Sequence, residues 1–136
     1  MANTVFSEKN KVHWLGVRPG VYGEQIIESG SASNGTTVLY TVPVGKMLLL
    51  TYLSLGTSGD GAGDSYLAIY DAVPALVEKL MDNSMATAHT SVAQAAGLYF
   101  PIEIPANYSI RIVSTTATVG ARGTFAGLLV NPTENA

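Results

Sequence analysis

The sequence predicts an all-β chain: a jelly-roll or other Greek-key β-sandwich of about eight strands, with an immunoglobulin-like sandwich as the alternative. Three observations carry that expectation. Short alternating runs rich in Val, Thr and Tyr are separated by turn residues at intervals of roughly eight to twelve positions. Two proline-containing turns, "TVPVGK" and "EIPANY", recur with the same internal offsets, one in each half of the chain. Hydrophobic residues reach 47% while charged residues are only 12%, which excludes a disordered chain and leaves little charge to solvate a large free surface.

The elements follow in order. Residues 12–17 and 21–28 read as strands joined by "RPG", where Pro19 presets φ and Gly20 supplies the positive φ of a type II turn. A break at "SGSASNGT" precedes a strand over 37–42, in which Val38, Tyr40 and Val42 share one face. In "TVPVGK", Pro43 and Gly45 fit a three-residue hairpin loop that pairs 37–42 with a strand over 47–55. After the glycine-rich loop "GTSGDGAGD" come a strand over 65–70 and a segment over 74–81 that reads as strand through Leu76, Val77 and Leu80. "NSMATAHTSVAQAAG" is the one stretch with helical propensity, and it equally suits an extended connection. The second turn, with Asn107 at the left-handed position, pairs 98–104 with 108–114. Residues 122–130 form the closing strand. The chain thus divides into an N-terminal arm or first strand (1–20), a sandwich domain (21–130) and a flexible tail (131–136).

The stretch "YTVPVGKMLLLTYLSL" poses the main functional question. Roughly twenty apolar residues would be needed to cross a membrane, so the run is too short for a span. A strand facing water on one side would alternate, yet Met47, Leu49 and Leu53 point one way and Leu48, Leu50 and Tyr52 the other. Both faces therefore need cover, from another subunit or from a helix or loop of the same chain such as residues 83–97.

Little in the chain carries chemistry. The net charge of -3 with seven basic residues argues against nucleic acid as a partner. There are no cysteines, so neither disulfides nor thiolate metal sites can form. His13 and His89 are the only histidines and lie far apart in sequence, which does not build a three-histidine site. "VPVGKM" is not a phosphate loop, because Tyr40 stands at the first glycine position and Met47 where a Ser or Thr would hold magnesium. Asp60 and Asp64 are weak calcium candidates; the plainer reading is a hairpin tip solvated by its two acids. No Gly-x-Ser-x-Gly is present, so an enzyme is disfavoured and no cofactor is expected. The N-terminus has no secretory pattern, and synthesis in a cytoplasm is expected. Lys9, Lys11 and Arg18 against Glu8 make residues 1–20 net positive, which allows a short basic arm, although an ordinary polar N-terminus is the plainer reading.

"TVPVGKMLLLTYLSL", followed by "GLYFPIEIPANYSIRI", resembles the jelly-roll structural proteins of tailed-phage virions: decoration, head-fibre and tail-associated modules. The resemblance spans residues 37–130, and Asn107 replaces the glycine of the second turn. It implies a non-enzymatic homotrimer, made in the host cytoplasm and located in the virion, that binds and stabilises a capsid or tail. The anchor would be Lys9, Lys11, Val12 and Trp14, and Leu48, Leu50 and Tyr52 would be buried near the threefold axis. A carbohydrate-binding or host-recognition module is the alternative, with a glycan as partner; a cupin-like enzyme comes third.

Overall fold

The computed structural model describes residues 23–85 and 90–132, which form eight strands and no helix. The strands are β1 (Gly23–Ser33), β2 (Gly35–Thr41), β3 (Met47–Gly59), β4 (Gly63–Tyr70), β5 (Leu76–Met85), β6 (Thr90–Ile104), β7 (Ser109–Ser114) and β8 (Val119–Val130). One sheet runs β1-β8-β3-β6 and the other β2-β7-β4-β5, with all neighbours antiparallel. Every connection crosses between the sheets except β4 to β5. This is jelly-roll order, and it sets aside the immunoglobulin-like alternative, in which more consecutive strands stay within one sheet.

The two proline turns are therefore corners, not hairpins. Lys46 N donates to Pro43 O at 3.1 Å and Gly45 has φ 78°, while Tyr108 N donates to Pro105 O at 3.3 Å and Asn107 has φ 70°. Each proline thus opens a four-residue turn whose third residue is left-handed, the requirement of type II. The corners are bonded to each other, Val42 N to Tyr108 O at 2.9 Å and Asn107 N to Val42 O at 2.8 Å. That tie brings β2 beside β7, and β3 finds its partners in β6 and β8.

Other boundaries also move. β1 continues through the expected break, and Asn34 at φ 50° makes the turn into β2. Most of the glycine-rich loop joins β3 and β4, leaving only residues 60–62 between them. β6 takes "TSVAQAAG" as strand, and residues 86–89 of the ambiguous stretch lie outside the described residues.

The core lies between the sheets and holds Leu48, Leu50, Leu53, Leu55, Leu67, Ile104, Ile110, Ile112 and Phe125. Each such side chain contributes about 1.5–3 kcal/mol when taken out of water. Leu48 reaches this core across Gly127 on β8. A Cβ there would lie 2.7 Å from the Leu49 carbonyl oxygen and 3.0 Å from Leu48 Cδ1.

The apolar ribbon is resolved by a bulge. The register of β3 against β6 and β8 shifts between Leu50 and Tyr52, so Leu48 and Leu50 before it share the inner face with Leu53 and Leu55 after it. Leu48 and Leu50 have no exposed surface in the single chain. They cannot serve as the expected interface, because the opposite sheet of the same chain already fills the space against them. The outward residues are Met47 and Leu49, which cluster with Leu128 and Val130; Leu49 and Val130 are buried within one chain. Tyr52 is half-buried.

Candidate interaction surfaces

The edges of the sandwich are defined by its strand order. β1 and β6 are the outer strands of one sheet and β2 and β5 of the other. β1 lies against β2 and β5 against β6, so the molecule has two opposite sides, each made of two edge strands. Strand edges offer unpaired backbone groups to other chains, and proteins blunt them with bulges, charge or cover.

On the β5/β6 side the edges are broken. β6 pairs with β3 through Ile102 opposite Leu50 and resumes at Gly97 opposite Tyr52, so residues 98–101 bulge out against the single residue Thr51. At the crest, Tyr99 is 82% and Phe100 80% exposed, and their rings meet edge-to-face with centroids 5.1 Å apart. β5 shifts register twice against β4, and Leu76 and Val77 are both exposed at its start. Val73 projects from the β4–β5 loop, which Asp71 closes by accepting from Val73 N and Ala75 N. On the opposite side β1 pairs with β8 without a shift over its whole length, and Ile27 and Val38 are exposed on β1 and β2. The sequence held a signal for the crest: two adjacent aromatics between Gly97 and Pro101, with proline marking an edge or bulge.

The outer face of the second sheet carries paired aromatic and cationic groups. Lys79 Nζ sits 4.3 Å from the Tyr66 ring centroid and Arg111 Cζ 5.0 Å from that of Tyr70. Lys79 also meets Asp82 at 3.5 Å. Burial and the hydrogen bond that its hydroxyl donates to Tyr66 raise the Tyr70 phenol above its ordinary pKa, against the lowering influence of Arg111 and Lys79. These groups satisfy one another.

The outer face of the first sheet has a shallow groove of about 550 Å³ floored by Ser31, Ser33, Gly56, Ser58, Ala93 and Gly120, with Arg122 its sole charge. It offers neither a nucleophile beside a base nor paired carboxylates. Asp60 and Asp64 sit at the β3–β4 turn, which is tied to the β7–β8 turn through Asp60 N to Thr118 O and Thr115 N to Asp64 O, both at 3.0 Å. Among the described residues no three His, Asp or Glu side chains gather as a metal site would. Lys9, Lys11, Val12, Trp14, His13 and His89 lie outside the described residues.

No family model matches the chain. No curated protein matches it either. Among solved structures, a pentameric capsid protein isolated from metagenomic phage sequences, phased with iodide, is 20% identical over 97% of this chain and 82% of that one, with a TM-score of 0.53. Another pentameric capsid protein from metagenomic phage sequences is 21% identical; the match covers 77% of this chain and 61% of that one, at a TM-score of 0.43. The coat protein of tobacco streak virus is 10% identical over 85% of this chain and 92% of its own, at 0.40. The chain shares the fold of the first of these over nearly its whole described length.

Proposed function

We propose that the chain is a non-enzymatic structural subunit of a phage virion, a homo-oligomer that attaches to the capsid and stabilises it by bridging neighbouring subunits. The observation that carries this reading is the placement of the exposed large apolar side chains. Ile27, Val38, Leu76, Val77, Tyr99 and Phe100 stand on edge strands, and Val44 and Val73 on loops at one end of the sandwich. A chain with 12% charged residues and apolar groups concentrated at its sides is built to be covered. The likeness to a pentameric phage capsid protein supports the same direction.

A homotrimeric decoration protein is the proposed form, and a pentamer is the competing number. Light scattering of the purified protein at micromolar concentration is expected to return a closed oligomer, and a monomer would overturn the reading. The N-terminal residues, with Lys9, Lys11, Val12 and Trp14, are the proposed capsid anchor. Deleting residues 1–11 is expected to abolish co-sedimentation with purified particles while leaving the oligomer intact; unchanged co-sedimentation would remove the anchor. A glycan-binding role would need a flat platform, whereas the Tyr99 and Phe100 rings stand 77° apart. Glycan-array binding that a chelator abolishes would favour that role over ours, with Asp60 and Asp64 as the ion ligands to examine.

A further inference from the structure

We propose that the subunits join side to side: the β5/β6 edge of one copy, anchored by Tyr99 and Phe100, docks on the β1/β2 edge of the next, around a closed ring. This rests on the oligomeric reading above and names the surfaces that would make it.

The bulges come first. β6 is interrupted for residues 98–101 and β5 has two register shifts, so this side cannot extend a sheet by adding a regular strand. What it offers is side chains. Tyr99, Phe100, Leu76, Val77 and Val73 stand on this side, all substantially exposed. An aromatic side chain buries about 150–250 Å² when covered, so two rings at this exposure offer roughly 250–400 Å². With the three aliphatic residues the apolar surface approaches the upper end, about 600 Å², of the largest patch found on ordinary monomers. It supplies most of the roughly 800 Å² per partner of a stable interface. Exposed aromatic anchors, Tyr99 foremost, also match the composition of binding hot spots.

A second copy of this chain is the occupant because of what stands on the far side. β1 is an unbroken edge strand paired only to β8 among the described residues, and Ile27 and Val38 are exposed beside it. A twofold contact joining two β5/β6 sides would cover the rings but leave that second edge bare. A heterologous contact covers both sides at once, and closure of the ring leaves no edge free.

The absence of cysteine makes the contact directly testable by engineered cross-linking. Full-length protein carrying Phe100→Cys with Ile27→Cys, and a second pair, Val77→Cys with Val38→Cys, is treated with a short bismaleimide. The expected result is a ladder ending in a closed ring for at least one pair, and no dimer from any single-cysteine variant. A dimer from Phe100→Cys alone would show the twofold contact and overturn the proposal. So would the failure of both pairs to cross-link while light scattering still shows an oligomer, as when residues 12–17 cover β1 instead. A protein that is monomeric throughout overturns the oligomeric reading itself, which separates the two failures. As a second measure, Tyr99→Ser with Phe100→Ser, at positions that make no core contact, is expected to raise the dissociation constant of the oligomer about tenfold or more with circular dichroism unchanged; an unchanged constant also overturns it.

Discussion

Asn83 is a polar side chain 1% exposed inside the sandwich, and its bonds explain its tolerance there. Its Nδ2 donates to Thr57 Oγ1 at 3.0 Å and to Leu55 O at 3.3 Å, and its Oδ1 accepts from Gln94 Nε2. Thr57 in turn shares a hydroxyl bond with Ser65, so β3, β4 and β5 meet at one buried polar cluster that the exposed Gln94 of β6 joins from outside. No side-chain polar atom buried among the described residues lacks a partner. Asn83→Ala would take one partner each from the Thr57 hydroxyl, which keeps Ser65, the Leu55 carbonyl and the Gln94 amide, and we expect a loss of about 1–3 kcal/mol in urea unfolding. Tyr40 gives a prediction with a pH sign. Burial, and then the charges of Glu24 and Glu28, raise its phenol above the ordinary value of 10.0. A raised folded-state pKa contributes stability that is complete below pH about 10 and is lost as pH climbs through the folded value. Tyr40→Phe keeps the ring against Phe125, now 5.9 Å away at 54°. The variant's Tm is expected to fall less steeply above pH about 10, with a residual slope from Tyr70, which is also raised. An identical slope in both proteins would refute the assignment.

At the scale of single elements, β8 shows how close packing depends on a missing side chain. Gly127→Ala places a methyl against the Leu49 carbonyl oxygen and Leu48, in the middle of the sheet where neither can retreat. We expect a cost of about 1–3 kcal/mol by chemical denaturation. Gly97 on β6 is the control, since a Cβ there meets nothing within 4 Å, and Gly97→Ala is expected to stay within about 0.5 kcal/mol. The elements also show what a sequence can and cannot disclose. Pro43 with Gly45 and Pro105 with Asn107 announced chain reversals, because only certain residues accept those dihedrals. They could not announce whether the chain returns to its own sheet or crosses to the other, since a type II turn serves either path. Alternation likewise sorted Met47 to Leu50 correctly into two faces but failed beyond Thr51, where a bulge reverses every later assignment. That one shift moved Leu48 and Leu50 from a supposed interface into the core with Leu53 and Leu55.

For the whole molecule, fold class was legible because alternation and turn spacing are local, whereas the proposed contact surface was not, because it depends on which strands end at the sheet edges and where their ladders are interrupted. Pro101 beside Tyr99 and Phe100 hints at an edge or bulge, but it is the ladder of β3 against β6 that shows the backbone lifting these rings off the sheet. A ring assembled through those edges has a thermodynamic signature that a monomer lacks. Folding linked to association draws on protein concentration, so the Tm of the intact protein should rise as concentration increases through the micromolar range. The Tyr99→Ser, Phe100→Ser variant should show at each concentration the Tm that the intact protein shows at about one-tenth of that concentration or less, since neither ring supports the core. Differential scanning calorimetry across a hundredfold dilution series measures both. A concentration-independent Tm for the intact protein, or a variant that follows it step for step, would mean that these sides are not what holds the subunits together.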